Sequence, residues 1–411
     1  MDSYIVVGKD TRISGDMLLH GIASGICSTG VNVYSAGILP TPAIAQLTAA
    51  TGSKAGIMIS ASHNPYYDNG IKLFNNRGFK LSSDMEDEIE DLALKRNFYK
   101  NACKVQSIGT VFSLDDAKII YKNFIKEIFN NGFSLKGMKI VIDCSNGASY
   151  RIAPEIFRDL GAQVHVLFDA PDGKNINDHC GSQHPEKMRK YVIEKGADTG
   201  FAFDGDGDRV IAVDENGSVI TGDQCLIVCA KAMKAKGVLK NNIVVTTVMS
   251  NLGLKIALKD LEIDYVTSDV GDRNVMEKMI EAGAVLGGED SGHTIFLDHH
   301  TTGDGILTAL KLIEAVQLES KTLSESAGLM QIFPQVLINV KVKEKKDILL
   351  EPGIQKTIKT VEKKLGEKGR VLIRYSGTSP LLRIMVEGPT YEETRSLAQS
   401  IADSVSNSGL V

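Results

Sequence analysis

Three carboxylates stand two residues apart in Asp204-Gly205-Asp206-Gly207-Asp208, with Arg209 next and the apolar run Phe201-Ala202-Phe203 before them. At i, i+2 and i+4 they project from one side of an extended segment. The intervening glycines let the backbone curl until all three oxygens can meet one hard cation. Carboxylates this close repel one another, so a divalent ion is their natural partner. A solvated acidic turn is the plainer alternative. A calcium EF-hand is a sharper rival, because Ile211 and Glu215 fall at two of its loop positions. Its sixth position demands glycine and is Arg209 here, and the flanks read as strands. A basic residue beside carboxylates that hold a metal suits a phosphorylated substrate.

Three further loops carry reactive residue types. Ser60-Ala61-Ser62-His63-Asn64-Pro65 follows the strand-like Gly56 to Ile59, which puts Ser62 at a strand's C-terminal end, where α/β sheets place ligands. Ser62 beside His63 has the types of a nucleophile and a base, although adjacent residues rarely face each other productively. Downstream, Asp68-Asn69-Gly70-Ile71-Lys72 forms a tight turn that returns a lysine to the same region. Arg374-Tyr375-Ser376-Gly377-Thr378-Ser379-Pro380, with Arg383 beyond it, offers hydroxyls, glycine amides and guanidinium groups for a phosphate, or serves as an ordinary strand connection. Gly287-Gly288-Glu289-Asp290-Ser291-Gly292-His293 groups a carboxylate, a hydroxyl and an imidazole suited to the hydroxyls of a sugar, or is simply a turn.

The elements that must position these loops alternate in type. Tyr4 to Gly8, Val31 to Tyr34 and Gly56 to Ser60 read as strands, with helices over Ser14 to Ser28 and Ala43 to Ala50; Pro40-Thr41-Pro42 reads as a break. The rhythm restarts at Met138 to Asp143, and again at Asn242 to Thr247, closing at Ala284 to Gly287. Three α/β units and a smaller C-terminal α+β segment result, a topological repetition without a strict sequence period. Asp84 to Asp91 reads as an acidic helix start, and Lys341 to Asp347 as a linker or surface strand edge.

Composition removes several functions. The 411 residues suggest two or three domains on length alone, and 43% hydrophobic residues exclude a disordered chain. With 46 basic against 51 acidic residues the net charge is −5, which argues against a nucleic-acid partner. No apolar stretch is long enough to span a membrane and no signal peptide is visible, so the expectation is a cytoplasmic protein without membrane partners. Cysteines 27, 103, 144, 180, 225 and 229 are scattered, as reduced core thiols are.

Taken together, these segments resemble the α-D-phosphohexomutase superfamily over nearly the whole chain. Gly8-Lys9-Asp10-Thr11-Arg12-Ile13-Ser14-Gly15, the Ser62 and Asp204 loops and Val270-Gly271-Asp272-Arg273 carry the resemblance. Thr246 to Leu254, Thr301 to Gly305 and Phe333 to Val336 are similar to its glucosamine branch. The resemblance implies a four-domain α/β protein with the active-site cleft between domains: a phosphoserine domain (1–113), a metal-loop domain (114–213), a sugar-recognition domain (214–330) and a C-terminal phosphate-binding domain (331–411). It implies that Ser62 is the phosphoserine, and that Asp204, Asp206 and Asp208 hold one Mg²⁺ with its phosphate. Lys72 matches the general base, with Arg12, His63 and Arg209 nearby. Glu289, Ser291 and His293 match the sugar-reading loop, and Arg374, Ser376, Gly377, Thr378 and Arg383 the loop that grips the non-reacting phosphate. The implied activity interconverts glucosamine 6-phosphate and glucosamine 1-phosphate through a sugar 1,6-bisphosphate, which also serves as activator, in a monomer or homodimer. Glucose or mannose phosphates are the alternative substrates, and a truncated, non-catalytic sugar-phosphate binder the alternative class.

Three positions depart from the family pattern. Ser379 replaces a glutamate common in the phosphate loop, and Asn274 an aromatic residue that usually follows Gly-Asp-Arg. The family also has a strand and a Gly-Thr-Asp-Gly-Ile-Arg-Gly-like segment ahead of Gly8-Lys9-Asp10, which this sequence lacks. Tyr4 to Gly8 is therefore expected to leave a neighbour unpaired or an edge exposed.

Overall fold

The computed structural model describes residues 3–94, 107–342, 351–375 and 380–408. Val- and Ile-rich runs form strands and amphipathic stretches form the helices between them. The first cycle comprises β1 (Tyr4–Lys9), α1 (Gly15–Cys27), β2 (Asn32–Ile38), α2 (Thr41–Ala50), β3 (Ala55–Ile59), β4 (Ile71–Asn75), α3 (Ser83–Leu94) and β5 (Val111–Ser113). The second comprises α4 (Ala117–Ile128), β6 (Lys139–Asp143), α5 (Ile152–Asp159), β7 (Gln163–Leu167), α6 (Glu186–Lys195), β8 (Thr199–Phe203), β9 (Val210–Asp214) and β10 (Val219–Ile220). The third comprises α7 (Gly222–Ala235), β11 (Ile243–Thr247), α8 (Leu252–Asp260), β12 (Asp264–Ser268), α9 (Asp272–Ala282), β13 (Leu286–Gly288), β14 (Thr294–Phe296), α10 (Gly305–Glu319) and α11 (Leu323–Ala327).

The three sheets share one plan. Their orders contain β2-β1-β3-β4, β7-β6-β8-β9 and β12-β11-β13-β14, so the second strand always lies outside the first and the fourth outside the third. The first three strands of each cycle are parallel, and the fourth runs antiparallel to the third. The Ser62, Asp204 and Glu289 loops occupy the same connection in all three, between third and fourth strands. Topological repetition, read from the alternation of elements, is thus repetition of site position as well.

β1 differs from the expectation for Tyr4 to Gly8. It is paired in parallel with β2 on one side and β3 on the other, and the outer strands of this sheet are β4 and β5. Its Val6 and Val7 are fully buried. Leu19, Ala23 and Cys27 line one face of α1 at intervals of four and pack on Val7, Val33 and Ile57. Truncating a buried leucine such as Leu19 costs about 2–5 kcal/mol. The break at Pro40 is shorter than expected: β2 ends at Ile38 and α2 starts at Thr41, with Pro42 in its first turn, where its missing N–H has no helical partner to lose.

Apart from α8, these cycles form one compact unit, within Met1–Met249 and Glu262–Leu329. A second unit, within Ser250–Leu261 and Met330–Val411, holds α8, β15 (Gln335–Lys341), α12 (Pro352–Leu365), β16 (Arg370–Tyr375), β17 (Leu381–Glu387) and α13 (Tyr391–Ser406). Its antiparallel sheet has order β15-β17-β16, and α12 and α13 cover it with Ile354, Ile358, Leu397 and Ile401. Buried Glu387 ties this unit together, accepting from Arg370 Nε at 2.6 Å and from the backbone N–H of Leu252 at 3.0 Å. The five described cysteines are free and buried; Cys103 and most of the Lys341 to Asp347 charge run lie outside the described residues.

Candidate active site

The acidic loop is held by its backbone, which leaves its side chains to face inward. Three successive carbonyls each accept one hydrogen bond from a different part of the chain. Ala148 N–H donates to Gly205 O at 2.8 Å, Thr41 N–H to Asp206 O at 2.8 Å, and Gly305 N–H to Gly207 O at 3.0 Å. Thr41 opens α2 and Gly305 opens α10, so two helix N-termini point at this loop and favour negative charge there. Glycine is required twice. A Cβ on Gly205 would lie 2.6 Å from the Ser62 carbonyl oxygen, and Gly207 adopts φ +70°. Strands flank the loop on both sides, which excludes the helix-flanked loop of an EF-hand.

Ser62 is itself unusual, a non-glycine residue at φ +51°. Such a conformation persists only when its surroundings over-determine it. Arg12 does this. Its Nε donates to Asp10 Oδ2 at 2.9 Å, its Nη1 to Pro65 O at 2.5 Å, and its Nη2 to Ser62 O at 3.0 Å and Asn64 O at 2.9 Å. Asn177 donates to the same carbonyls of Ser62 and Asn64, and Ser60 Oγ accepts from the Ser62 N–H at 3.0 Å. Arg12, expected among the catalytic residues, is 4% exposed and stands behind the Ser62 loop as its clamp. The lysine turn forms as expected, with Lys72 on β4 opposite Met58 of β3.

The side chains converge. Ser62 Oγ donates to Asp204 Oδ2 at 2.6 Å and lies 3.4 Å from His63 Nδ1. Lys72 Nζ bridges Asp206 Oδ2 at 2.6 Å and Asp208 Oδ2 at 2.8 Å. Burial works against the Lys72 ammonium, but the Asp206 and Asp208 carboxylates outweigh it and raise its pKa. Burial, then the neighbouring Asp208 and Asp206 charges, push Asp204 well above the usual carboxylate range. Asp208 moves the other way: Lys72 and then His293 overcome its burial and hold it well below that range. Burial and then the Arg209 guanidinium, whose Nη1 is 3.1 Å from His63 Nδ1, lower the His63 pKa and keep its ring neutral.

Of the sugar-loop residues, Glu289 is buried and accepts from the Gly271 N–H at 2.9 Å, and Ser291 is exposed. His293 is 1% exposed; its Nε2 accepts from the Gly303 N–H at 3.2 Å and its Nδ1 faces Asp208 Oδ1 at 3.9 Å. It is buried beside the acidic loop and lines a cavity with Lys80, Asp272 and Arg273. Asn274 turns its amide back onto Val270 O at 2.8 Å. In the second unit Arg374 and Arg383 lie directly opposite on β16 and β17. Two like charges in register destabilise a sheet unless an anion joins them. Ser376, Gly377, Thr378 and Ser379 lie outside the described residues.

The carboxylates fit a hard divalent cation. Oxygens of Asp204, Asp206 and Asp208 all lie within 4.8 Å of one another, and the buried Asp206 Oδ1 and Asp208 Oδ1 have no hydrogen-bond partner among the described residues. Sequence reasoning missed Thr41, whose buried hydroxyl donates to Asp206 Oδ2, and also Asp10, Ser60 and Asn177. Thr41 and Asn177 act across sequence separations that no local pattern displays. Asp10 and Ser60 lie inside the Gly8 to Gly15 and Ser60 to Pro65 motifs, but their bond to each other spans fifty residues.

The chain matches the phosphoglucomutase/phosphomannomutase alpha/beta/alpha domains I, II and III over 1–100, 120–217 and 221–333, and the C-terminal domain over 337–404. It is 54% identical to phosphoglucosamine mutase of Syntrophus aciditrophicus over 401 residues, 98% of this chain and 89% of the relative. To phosphoglucosamine mutase of Syntrophobacter fumaroxidans it is 55% identical with the same coverage. Its fold is similar to that of a phosphoglucomutase/phosphomannomutase family protein from Burkholderia thailandensis, with TM-score 0.81, 24% identity and coverage of 99% and 89% of the two chains. The N-acetylphosphoglucosamine mutase of Aspergillus fumigatus, solved with GlcNAc-6P and magnesium, aligns with TM-score 0.70 at 18% identity, covering 94% of this chain and 93% of that one.

Proposed function

The chain belongs to the phosphoglucomutase/phosphomannomutase family, with three α/β domains and a C-terminal domain, and on that footing we propose that it interconverts glucosamine 6-phosphate and glucosamine 1-phosphate. The reading draws its substrate from relatives such as those at 54% and 55% identity, both phosphoglucosamine mutases. One observation carries the chemistry: the Ser62 hydroxyl is seated 2.6 Å from Asp204, within a buried carboxylate triad. Asp204, Asp206 and Asp208, with the phosphate on Ser62, would hold Mg²⁺, which when bound supplies charge neutralisation for phosphoryl transfer.

Each residue then has a distinct task. Ser62 carries the phosphoryl group. The sugar hydroxyl attacks its phosphorus, the Ser62 Oγ–P bond breaks, and the hydroxyl proton passes by way of Lys72 to the Ser62 oxygen, giving a sugar 1,6-bisphosphate and a free Ser62 hydroxyl. The bisphosphate turns end for end and its other phosphoryl group passes back to Ser62. Arg209 and neutral His63 flank the transferring group. Lys72 would serve as general base; held between Asp206 and Asp208 its ammonium stays protonated, and a divalent cation on those carboxylates would compete with it for them. Glu289 and Ser291 read the sugar, with His293 holding Asp208, and Arg374 and Arg383 take the non-reacting phosphate. Added sugar 1,6-bisphosphate would restore Ser62 that has lost its phosphate. A cytoplasmic location accords with the fact that no described helix is long and apolar enough to cross a membrane.

The deciding experiment is a coupled mutase assay on glucosamine, glucose and mannose phosphates, paired with intact mass. Glucosamine 6-phosphate should turn over fastest, and the protein should carry a phosphoryl adduct that Ser62→Ala abolishes. Equal turnover of the three sugars removes the glucosamine assignment; no adduct and no turnover with a sugar bisphosphate present removes the mutase itself.

A further inference from the structure

Segment 300–305 has no role in the phosphoryl-transfer scheme, yet it touches much of the apparatus. Gly303 N–H donates to His293, and Gly305 N–H donates to Gly207 O at 3.0 Å, between two of the three carboxylates. His300 Nε2 lies 3.0 Å from Pro42 O, next to the Thr41 that grips Asp206. Gly305 sits so close to the acidic loop that a Cβ would come within 2.6 Å of Arg209 O. What fixes the start of α10 is Asp304. Its Oδ1 caps the helix by accepting from Leu307 N–H at 3.0 Å, and its Oδ2 accepts from the Tyr121 hydroxyl at 2.8 Å. Tyr121 lies on α4, 183 residues away in sequence, and both side chains are buried.

We propose that Tyr121 is a positioning residue for the metal loop: by anchoring Asp304 it sets where the first N–H of α10 meets the Gly207 carbonyl, and so the spacing of the Asp206 and Asp208 carboxylates. The link is geometric. Asp304 is bonded through one oxygen to its own helix and through the other to α4. Removing the second bond leaves the cap in place and frees the helix end to shift. Gly207 is one residue from each of two carboxylates, so a shift of its carbonyl is passed to both. A cation site with three short side chains tolerates little such movement. The inference rests on the reading that this triad holds a divalent cation.

The test uses Mn²⁺ as a probe, with free ion followed by electron paramagnetic resonance on the full-length protein. Tyr121→Phe keeps the ring and removes the hydroxyl. Losing one buried hydrogen bond should weaken Mn²⁺ binding about fivefold. Asp304→Ala should weaken it at least as much, while Asp304→Asn, which keeps a cap acceptor and a partner for the tyrosine oxygen, should bind within about twofold of wild type. The Mg²⁺ activation constant should rise in step with the Mn²⁺ constant while KM for sugar phosphate stays fixed, a split that a general loss of stability does not give. Wild-type affinity in Tyr121→Phe overturns the inference, as does equal affinity in the Asp304 alanine and asparagine variants. If wild type itself binds no Mn²⁺, the metal reading beneath fails instead, so the two failures are distinct.

Discussion

Ser62 keeps its left-handed backbone because Arg12, Asn177 and Ser60 hold its neighbours, and Arg12 does most by bonding three carbonyls and Asp10 at once. Removing it strands a carboxylate: Asp10 is 1% exposed and is already raised in pKa by burial, with Arg12 as the main opposing charge. Arg12→Ala should therefore lower the unfolding free energy by on the order of 3–5 kcal/mol in urea titrations. Arg12→Lys keeps a charge beside Asp10 but cannot span three carbonyls. Its kcat should fall at least tenfold or so with KM unchanged, because a loosened Ser62 harms the reacting geometry more than substrate binding. A rise in KM alone would return Arg12 to direct substrate contact. The residue type was legible, since an arginine four positions after a strand glycine stands out. Its duty was not, because every loop carbonyl it meets lies fifty or more residues away.

Strand β6 ends in Asp143, and that carboxylate fixes the turn beyond it. Fully buried, it accepts from the N–H of Ser145 at 2.8 Å and of Gly181 at 3.0 Å. Burial raises its pKa to about 6, against the pull of those two bonds. The folded state then binds the proton more tightly than the unfolded one. Stability from this group is full below the unfolded value near 3.8, falls as pH rises through about 6, and is level above. Asp143→Asn should erase that slope in thermal unfolding measured from pH 4 to 7, and lower the plateau by about 1–3 kcal/mol because its amide faces one of the two N–H donors. An unchanged slope would place the proton elsewhere. At this scale the sequence was read well where apolar runs were long. Phe201 to Phe203 lies inside β8, and Met138 to Asp143 matches β6 within a residue. It was read poorly where order comes from pairing: β2 runs on through Ser35-Ala36-Gly37 because β1 and β5 supply partners, and β5 itself, exposed along its length, shows no periodic signal.

Across the whole molecule the residues proposed to carry the phosphoryl group and the arginines proposed to take the non-reacting phosphate belong to different units. Ser62, Lys72 and the three aspartates lie in the first; Arg374 and Arg383 face each other in the second. Arg374→Ala should therefore raise KM roughly tenfold or more, the worth of a charge-assisted hydrogen bond, and leave the Ser62 adduct and Mn²⁺ binding intact. Loss of the adduct in that variant would show that the units do not act separately. The shared third-to-fourth strand connection has a mechanical consequence. Both ends of every reactive loop enter strands hydrogen-bonded to each other, as Ile59 to Ile71, Phe203 to Val210 and Gly288 to Thr294 are. A flap needs one slack end, and none of the three has one. A reactive side chain on such a loop keeps its place unless the two strands that carry it move together.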